Sequence, residues 1–203
     1  VVVVADDPGM HSSQNEQDSR MHARGSQVPM LEPSDSDECR AFTKLAFELS
    51  EKYDTPVFVR TTTRVAHARS VVHPQERVEA ALKPYQKDIS KWVMMPGMAK
   101  GRHVVVEKRM NDLAKDASAL PVNRVEMGDT KIGVICSGMA YQYVKEVAPE
   151  ISVLKLGIVN PLPMDLIADF ARQVETLYVF EELEPVIEEQ VAAHGIRVTG
   201  KAL

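Results

Sequence analysis

Four arginines follow predicted strands or the loops attached to them: Arg20, Arg24, Arg60 and Arg64. A guanidinium binds a carboxylate or a phosphate through two parallel hydrogen bonds, so an arginine at the carboxyl end of a strand is a candidate for anion recognition. Surface arginines usually serve only solubility, and that alternative stays open for each of the four. Arg20 is the strongest candidate because its loop is the most polar.

The loop that carries Arg20 follows a run of four valines at residues 1–4. An apolar, β-branched run predicts a strand that is covered on both faces, as in the middle of a parallel sheet. The sequence DDPG at residues 6–9 ends this strand, and residues 10–20 are almost entirely polar or charged. In open α/β sheets ligands bind beyond the carboxyl ends of the strands, where such loops emerge. The alternative is a solvated surface loop.

The composition is that of an ordinary globular protein, with 203 residues, 44% hydrophobic and 26% charged. The net charge is -5 and no basic stripe is interleaved with aromatic residues, which argues against nucleic acid as a partner. The longest apolar runs have four or five residues, too few to span a membrane. Cys39 and Cys136 cannot supply the four thiolates of an iron–sulfur cluster, and their separation excludes a CxxC pair. A reduced, cytoplasmic setting is expected.

Strands and helices alternate along most of the chain, which predicts an α/β fold. A short strand at residues 28–34 precedes a helix from about Ser36 to Tyr53, and a second strand follows at residues 56–60. Ser34 and Asp35 are candidate caps for this helix. Beyond Thr130, strands and helices alternate again, with strands at 131–138, 153–159 and 176–182 and helices at 139–147, 163–173 and 185–193. The pattern predicts the end of a parallel-sheet domain followed by a small doubly wound domain.

The predicted segments are residues 1–70, a connector at 71–128 and residues 129–203. Prolines and glycines interrupt the connector, which has one predicted helix from His103 to Ala117. Since bare linkers of this length are uncommon inside compact domains, we expect an ordered connector that packs across a neighbouring domain or subunit. Trp92 and Met94-Met95 are its candidate anchors. The alternative is a plain excursion with a buried Trp92.

The remaining motifs are weak. The sequence CSGMA at residues 136–140 lacks the spacing of a dinucleotide fingerprint, and a tight strand-to-helix turn with an inert, buried Cys136 is favoured. The acidic residues between Glu181 and Glu189 are typical of a solvated face near a helix start. No pair of histidines has the spacing of metal ligands on one helix face, among His11, His22, His67, His73, His103 and His194. No metal site is expected.

Long blocks across essentially the whole chain resemble a known family. They are VVVVADDPGMHSSQNEQDSR, VPMLEPSDS, DTPVFVRTTTRVAHAR, GDTKIGVICSGMAYQYVKEV, VLKLGIVNPLP and LYVFEELEPVIEEQ. These blocks are similar to the alpha subunits of indolepyruvate ferredoxin oxidoreductases, thiamine diphosphate-dependent 2-oxoacid:ferredoxin oxidoreductases. The resemblance implies that residues 1–70 are the C-terminal part of a pyrimidine-binding domain and that residues 129–203 resemble the transketolase C-terminal domain.

The resemblance also implies an activity and its partners. The family oxidatively decarboxylates indolepyruvate or another aryl 2-oxoacid to the acyl-CoA and reduces ferredoxin. Implied cofactors of the full-length protein are thiamine diphosphate, Mg²⁺ and [4Fe-4S] clusters, and implied partners are a beta subunit, ferredoxin and coenzyme A. Arg20 is the position implied to bind the substrate carboxylate. Its implied neighbours are His11, Ser12, Ser13, Gln14 and Asn15.

The family's activating glutamate would lie upstream of Val1, and its Gly-Asp-Gly module and cluster cysteines downstream of Leu203. We therefore expect an internal fragment that has no catalytic residue of its own, binds no cofactor alone and is inactive alone. Neither Glu16 nor Gly128-Asp129 is expected to replace the missing groups. Two alternatives remain: a non-catalytic α/β module for assembly or interaction, and another thiamine diphosphate enzyme of the pyruvate oxidoreductase or transketolase type.

Overall fold

A computed structural model describes residues 1–79 and 81–201. Ala80 of the predicted connector and residues 202–203 of the predicted third segment lie outside the described residues. The described elements are, in chain order, β1 (Val2–Asp6), α1 (Ser19–Ser26), β2 (Met30–Leu31), α2 (Ser36–Tyr53), β3 (Phe58–Thr62), α3 (Thr63–His67), α4 (Ile89–Trp92), α5 (Pro96–Ala117), β4 (Arg124–Glu126), β5 (Asp129–Ser137), α6 (Gly138–Val147), β6 (Ile151–Leu156), β7 (Ile158–Asn160), α7 (Met164–Ala171), β8 (Thr176–Phe180) and α8 (Val186–Ala193).

The first sheet has the strand order β1-β3-β2-β7. β3 is parallel to both β1 and β2, whereas β7 runs antiparallel to β2. β1 therefore lies at the edge of this sheet, and Val2 and Val3 are 43% and 62% exposed. The prediction of a strand covered on both faces is wrong. A β-branched run specifies an extended backbone, but it does not report how many strands lie beside it.

The second sheet has the order β4-β6-β5-β8. β5 is parallel to its two neighbours β6 and β8, and β4 runs antiparallel at the edge. Helix α6 connects β5 to β6, and α7 precedes β8, as expected for parallel strands joined by helical crossovers. The predicted α/β class is confirmed, and each sheet is mixed, with one antiparallel strand beside its parallel strands: β7 in the first sheet and β4 in the second. The tight turn predicted at CSGMA is also present, because β5 ends at Ser137 and α6 begins at Gly138.

The predicted strand at residues 153–159 consists of two strands that belong to different sheets. They separate at Gly157, where an added Cβ would lie 2.4 Å from the carbonyl oxygen of Val122. β6 stays in the second sheet, while β7 pairs with β2, and Glu32 donates a backbone hydrogen bond to the Gly157 carbonyl at 2.9 Å. The two halves thus share a sheet. The segment boundaries at residues 70 and 128 stay a prediction.

Local signals agree with the helices to different degrees. α2 has its predicted bounds, and its cap is Asp35, which accepts a hydrogen bond from the Glu38 amide at 2.8 Å. α5 begins at Pro96, earlier than predicted, and α1 was not predicted. Within the described residues, no helix is both long enough and apolar enough to cross a membrane.

The connector is exposed along most of its length. Trp92 is 60% exposed, and the Lys91 ammonium lies 4.4 Å from the centre of its ring. The alternative of a buried Trp92 is therefore wrong. Packing of the connector against another subunit stays a prediction.

Candidate functional site

The site lies where β1 and β3 end side by side. Their parallel register pairs Asp6 with Thr62, so the segments that follow both strands emerge at the same edge of the sheet. Residues 7–18 form the loop after β1, which we call the β1 loop, and α3 follows β3 directly. This is the position at which parallel sheets bind ligands.

Asp7 holds the β1 loop in place. Its carboxylate accepts hydrogen bonds from the amides of His11 at 3.1 Å and of Ser12 and Ser13 at 2.7 Å. The Thr63 hydroxyl donates to the same carboxylate at 2.6 Å, which joins the β1 loop to α3. The Thr63 hydrogen bond, supported by these amides, holds the pKa of Asp7 well below its usual range. The carboxylate is thus ionised and orders the first half of the loop.

The second half of the β1 loop is fixed to the first by side-chain amides and carboxylates. Glu16 accepts from the Gly9 amide at 2.8 Å, and Gln17 accepts from the Asp7 amide at 3.2 Å. At the end of the loop, Ser19 donates to the Asp6 carboxylate through its amide at 2.8 Å and its hydroxyl at 2.6 Å. The loop therefore has a defined conformation.

A cavity of about 370 Å³ lies between the β1 loop and α3. It is lined by His11, Ser12, Thr63, Arg64, His67 and Ala68. Arg64 is exposed, and within the described residues it makes no ion pair with a carboxylate. A guanidinium and two imidazoles around one polar cavity can bind an anion. We call this cavity the cationic pocket.

Only part of the predicted site lines the cationic pocket. His11 and Ser12 line it, whereas Ser13, Gln14 and Asn15 lie farther along the loop. Arg64 was one of the four candidate arginines, but His67 was considered only as a metal ligand. The sequence did contain a signal for His67, because it lies three residues after Arg64 and residues i and i+3 lie on one face of a helix.

Arg20 lies away from solvent, with a side chain that is 1% exposed. It binds both carboxylate oxygens of Asp18 at 2.9 and 2.7 Å, and its Nη1 lies 2.5 Å from Glu181 Oε2. Its Nη2 also donates to the carbonyls of Glu182 and Glu184 at 2.6 and 3.0 Å. Burial lowers the pKa of Arg20, but the hydrogen bonds of Asp18 and the surrounding carboxylates outweigh it and raise the pKa. Arg20 thus already binds carboxylates and carbonyls of its own chain in a region nearly closed to solvent, and its predicted substrate role stays a prediction.

The other two candidate arginines have separate environments. The Arg60 side chain is 0% exposed, with Nε 2.5 Å from Asp6 Oδ2 and Nη1 2.8 Å from Glu32 Oε1. Arg24 is exposed in the last turn of α1, where a positive charge is favourable to the helix dipole. Neither one lines the cationic pocket.

Glu181 corrects the prediction of a solvated acidic face. It is buried beside Arg20, and its carboxylate accepts hydrogen bonds from the amides of Ile187 and Glu188 at the start of α8. Burial raises the pKa of Glu181, although Arg20 and these amides act in the opposite direction. Sequence reasoning missed this residue because its partner lies 161 positions away.

A larger cavity of about 520 Å³ lies beside α6 and β8. Its lining is mainly apolar, with Tyr143, Val147 and Phe180 among its exposed members, and Glu182 and Lys201 at its rim. It lacks the convergent cationic groups of the smaller cavity. We therefore place the candidate site in the cationic pocket.

The implied metal and cluster do not fit the described residues. Across residues 1–79 and 81–201, no group of three or more His, Cys, Asp or Glu side chains is arranged to hold a metal ion. An added Cβ at Gly128 would lie 2.1 Å from the Glu150 carbonyl oxygen, so Gly128 packs closely against the backbone of residues 150–151. Cys136 is fully buried, and burial raises the pKa of its thiol to about 12. Its prediction as a buried thiol is confirmed.

Comparison with known proteins defines the class. Residues 4–125 match the family described as pyruvate flavodoxin/ferredoxin oxidoreductase, thiamine diphosphate-binding, and the chain belongs to this family. Among its relatives, the indolepyruvate oxidoreductase subunit IorA of Thermococcus kodakarensis is 41% identical over 94% of this chain and 31% of its own length. IorA of Methanothermobacter thermautotrophicus is 42% identical over 95% of this chain and 32% of its own. The chain spans about a third of the length of these relatives, and the resemblance seen in the sequence is confirmed.

Two solved structures share the fold. A 2-oxoglutarate:ferredoxin oxidoreductase from Magnetococcus marinus superposes with a TM-score of 0.65 at 14% identity, over 98% of this chain and 44% of that one. A split-gene transketolase superposes with a TM-score of 0.57 at 15% identity, over 98% of this chain and 54% of that one. At these identities the similarity supports the α/β architecture alone.

Proposed function

We propose that this chain is part of the alpha subunit of a thiamine diphosphate-dependent 2-oxoacid:ferredoxin oxidoreductase. The proposed reaction is the oxidative decarboxylation of indolepyruvate, or a similar aryl 2-oxoacid, to the acyl-CoA with reduction of ferredoxin. The observation that carries this proposal is the 41–42% identity to IorA subunits over nearly the whole chain. A beta subunit, ferredoxin and coenzyme A are the proposed partners, and the cytoplasm is the proposed location.

The proposed contribution of this chain is one wall of the substrate site. A 2-oxoacid has a carboxylate beside its reacting keto carbon, and the cationic pocket offers an exposed guanidinium at the carboxyl ends of two parallel strands. We assign the carboxylate to Arg64, with the imidazole rings of His11 and His67 beside it as polar groups of the same pocket. Ser12 lines the same pocket, whereas Ser13, Gln14 and Asn15 do not.

When it is bound, thiamine diphosphate supplies the carbanion stabilisation that 2-oxoacid decarboxylation requires. The residues of this chain act on the substrate: Arg64 binds its carboxylate, and the β1 loop limits its orientation. Residues 1–70 would serve as the end of the pyrimidine-binding domain, and residues 129–203 as an auxiliary domain. The described residues do not supply the magnesium or cluster ligands, so we propose that the chain alone is inactive.

The test is a substrate panel on the alpha–beta holoenzyme that contains this chain. Reduction of ferredoxin with coenzyme A present is measured with indolepyruvate, phenylpyruvate, pyruvate and 2-oxoglutarate. We expect the aryl 2-oxoacids to give at least about tenfold higher kcat/KM than the other two, since burying a large aromatic group contributes several kcal/mol. Equal or higher activity with pyruvate would contradict the proposed substrate and favour a pyruvate oxidoreductase.

A non-catalytic assembly module is the second candidate. The exposed side chains of Trp92, Met94 and Met95 on the connector favour it, because such apolar groups are typical of interaction surfaces. This candidate predicts that the holoenzyme keeps its activity when the cationic pocket is altered, whereas connector variants fail to assemble. The enzyme proposal predicts the reverse for the pocket variants.

A further inference from the structure

We infer that Arg20 is a positioning residue: it joins the end of the β1 loop to helix α8 and so fixes the conformation of one wall of the proposed substrate site. The KM measurements that test it rest on the proposed function, whereas the hydrogen-exchange measurements do not.

Arg20 contacts both parts of the molecule through different edges of its guanidinium. The Nε and Nη2 atoms form a two-point ion pair with Asp18, the last residue of the β1 loop. The Nη1 atom binds Glu181, and Nη2 also binds the carbonyls of Glu182 and Glu184. A planar guanidinium with five donors suits such a junction, because its geometry is rigid.

The partner on the α8 side is Glu181, which is also held by backbone contacts. The two oxygens of Glu181 accept from the amides of Ile187 and Glu188, which have no carbonyl partner within the first turn of α8. A carboxylate at a helix N-terminus is also favoured by the helix dipole. Glu181 therefore has partners at the start of α8 in addition to Arg20.

The partner on the loop side depends more strongly on Arg20. Asp18 caps α1 by accepting from the Arg20 amide, and its nearest other cationic atom is Arg60 Nη2 at 3.8 Å. Its side chain is 10% exposed. Loss of the Arg20 side chain would leave this nearly buried carboxylate without its two-point partner, and an uncompensated buried charge is costly. The expected response is a movement of Asp18 and the β1 loop towards water.

The same contacts argue against direct substrate binding by Arg20. Each of its three nitrogens already has a protein partner, and two of these partners are the carboxylates of Asp18 and Glu181. A substrate carboxylate would have to compete with Asp18 or Glu181 inside a region closed to solvent. Arg64 meets the same need from an exposed position.

The decisive variant is Glu181→Gln in the alpha–beta holoenzyme, compared with Arg20→Met and Arg20→Lys. If Arg20 positions the loop, both E181Q and R20M raise the KM for the 2-oxoacid, and R20K restores part of the loss. If Arg20 binds the substrate directly, E181Q removes a competing negative charge, and the KM stays the same or falls while R20M alone raises it. Arg24→Met, which changes an exposed arginine on the same helix, is the matched control and is expected to leave KM unchanged.

Hydrogen exchange tests the inference without any assumption about the reaction. In R20M the hydrogen-bonded amides among residues 10–17, which are those of Met10, His11, Ser12 and Ser13, are expected to exchange at least about tenfold faster. The amides of β3 and α8 are expected to keep their protection, which would show that the protein is folded. R24M is expected to match the wild type. Unchanged exchange in residues 10–17 of R20M, or a KM in E181Q at or below that of the wild type, would overturn the inference. A holoenzyme inactive on every 2-oxoacid would count against the proposed function alone, because exchange would still report on Arg20.

Discussion

At the scale of single residues, the candidate site depends on which arginines already form ion pairs with carboxylates of the same chain. Arg20 and Arg60 are buried and bind Asp18, Glu181, Asp6 and Glu32, whereas Arg64 is exposed beside a cavity. An arginine that already holds carboxylates of its own chain is poorly suited to recognise another one. The distinction between these arginines follows from burial and partners, which a sequence does not display.

Asp7 should make the stability of the β1 loop depend on acid. Its pKa in the folded protein is depressed below the ordinary value of 3.8, so its contribution is present above that pH and is lost as the pH falls through the folded-state pKa. The difference in Tm between the wild type and Asp7→Asn is therefore expected to be largest at neutral pH and to shrink below pH 3.8. Thermal unfolding followed from pH 7 to about pH 2 measures this.

The matched control for Asp7→Asn is Asp165→Asn, which changes an exposed aspartate in the first turn of α7. Its Tm curve is expected to run nearly parallel to that of the wild type. A Tm difference for Asp7→Asn that stays constant across this pH range would show that the carboxylate charge does not stabilise the loop.

At the scale of elements, local sequence determines the bounds of helices, whereas the pairing of strands depends on residues far apart in the chain. The bounds of α2 follow from the Asp35 cap and from Phe42, Ala46 and Leu49 at helical spacing, all within one stretch of chain. In contrast, the sequence VLKLGIV at residues 153–159 predicted one strand and did not indicate that its two ends belong to different sheets. The partner of β7 is β2, which lies more than a hundred residues earlier in the chain.

Substitution of Gly157 tests the division between β6 and β7. An added methyl group would lie 2.4 Å from the Val122 carbonyl oxygen, so Gly157→Ala is expected to lower the free energy of unfolding by about 1–3 kcal/mol. Chemical denaturation at neutral pH measures the change. Gly101→Ala is the control, because no atom lies within 4 Å of its added Cβ and alanine favours the interior of α5, with an expected gain of about 0.5–1 kcal/mol. Equal stability of G157A and the wild type would show that this contact does not constrain the fold.

At the scale of the whole molecule, strand β7 and several ion pairs join the two sheets. β7 extends from the second half into the first sheet, and Arg20 joins the β1 loop to Glu181 before α8. The alternation of strands and helices was enough to predict the α/β class and its parallel strand pairs, but not the antiparallel strands β4 and β7. It could not place β1 at an edge, nor bring Glu181 to Arg20, because both depend on tertiary neighbours that lie far apart in sequence.

The central claim is that the cationic pocket binds the carboxylate of an aryl 2-oxoacid through Arg64. Its most direct test is the steady-state kinetics of the Arg64→Met holoenzyme with indolepyruvate, with Arg24→Met as the control. Loss of a charged hydrogen bond to the substrate is expected to raise KM by about 10- to 100-fold and to change kcat much less. We predict this rise in KM for R64M and the kinetics of the wild type for R24M. An R64M enzyme with the KM of the wild type would contradict it.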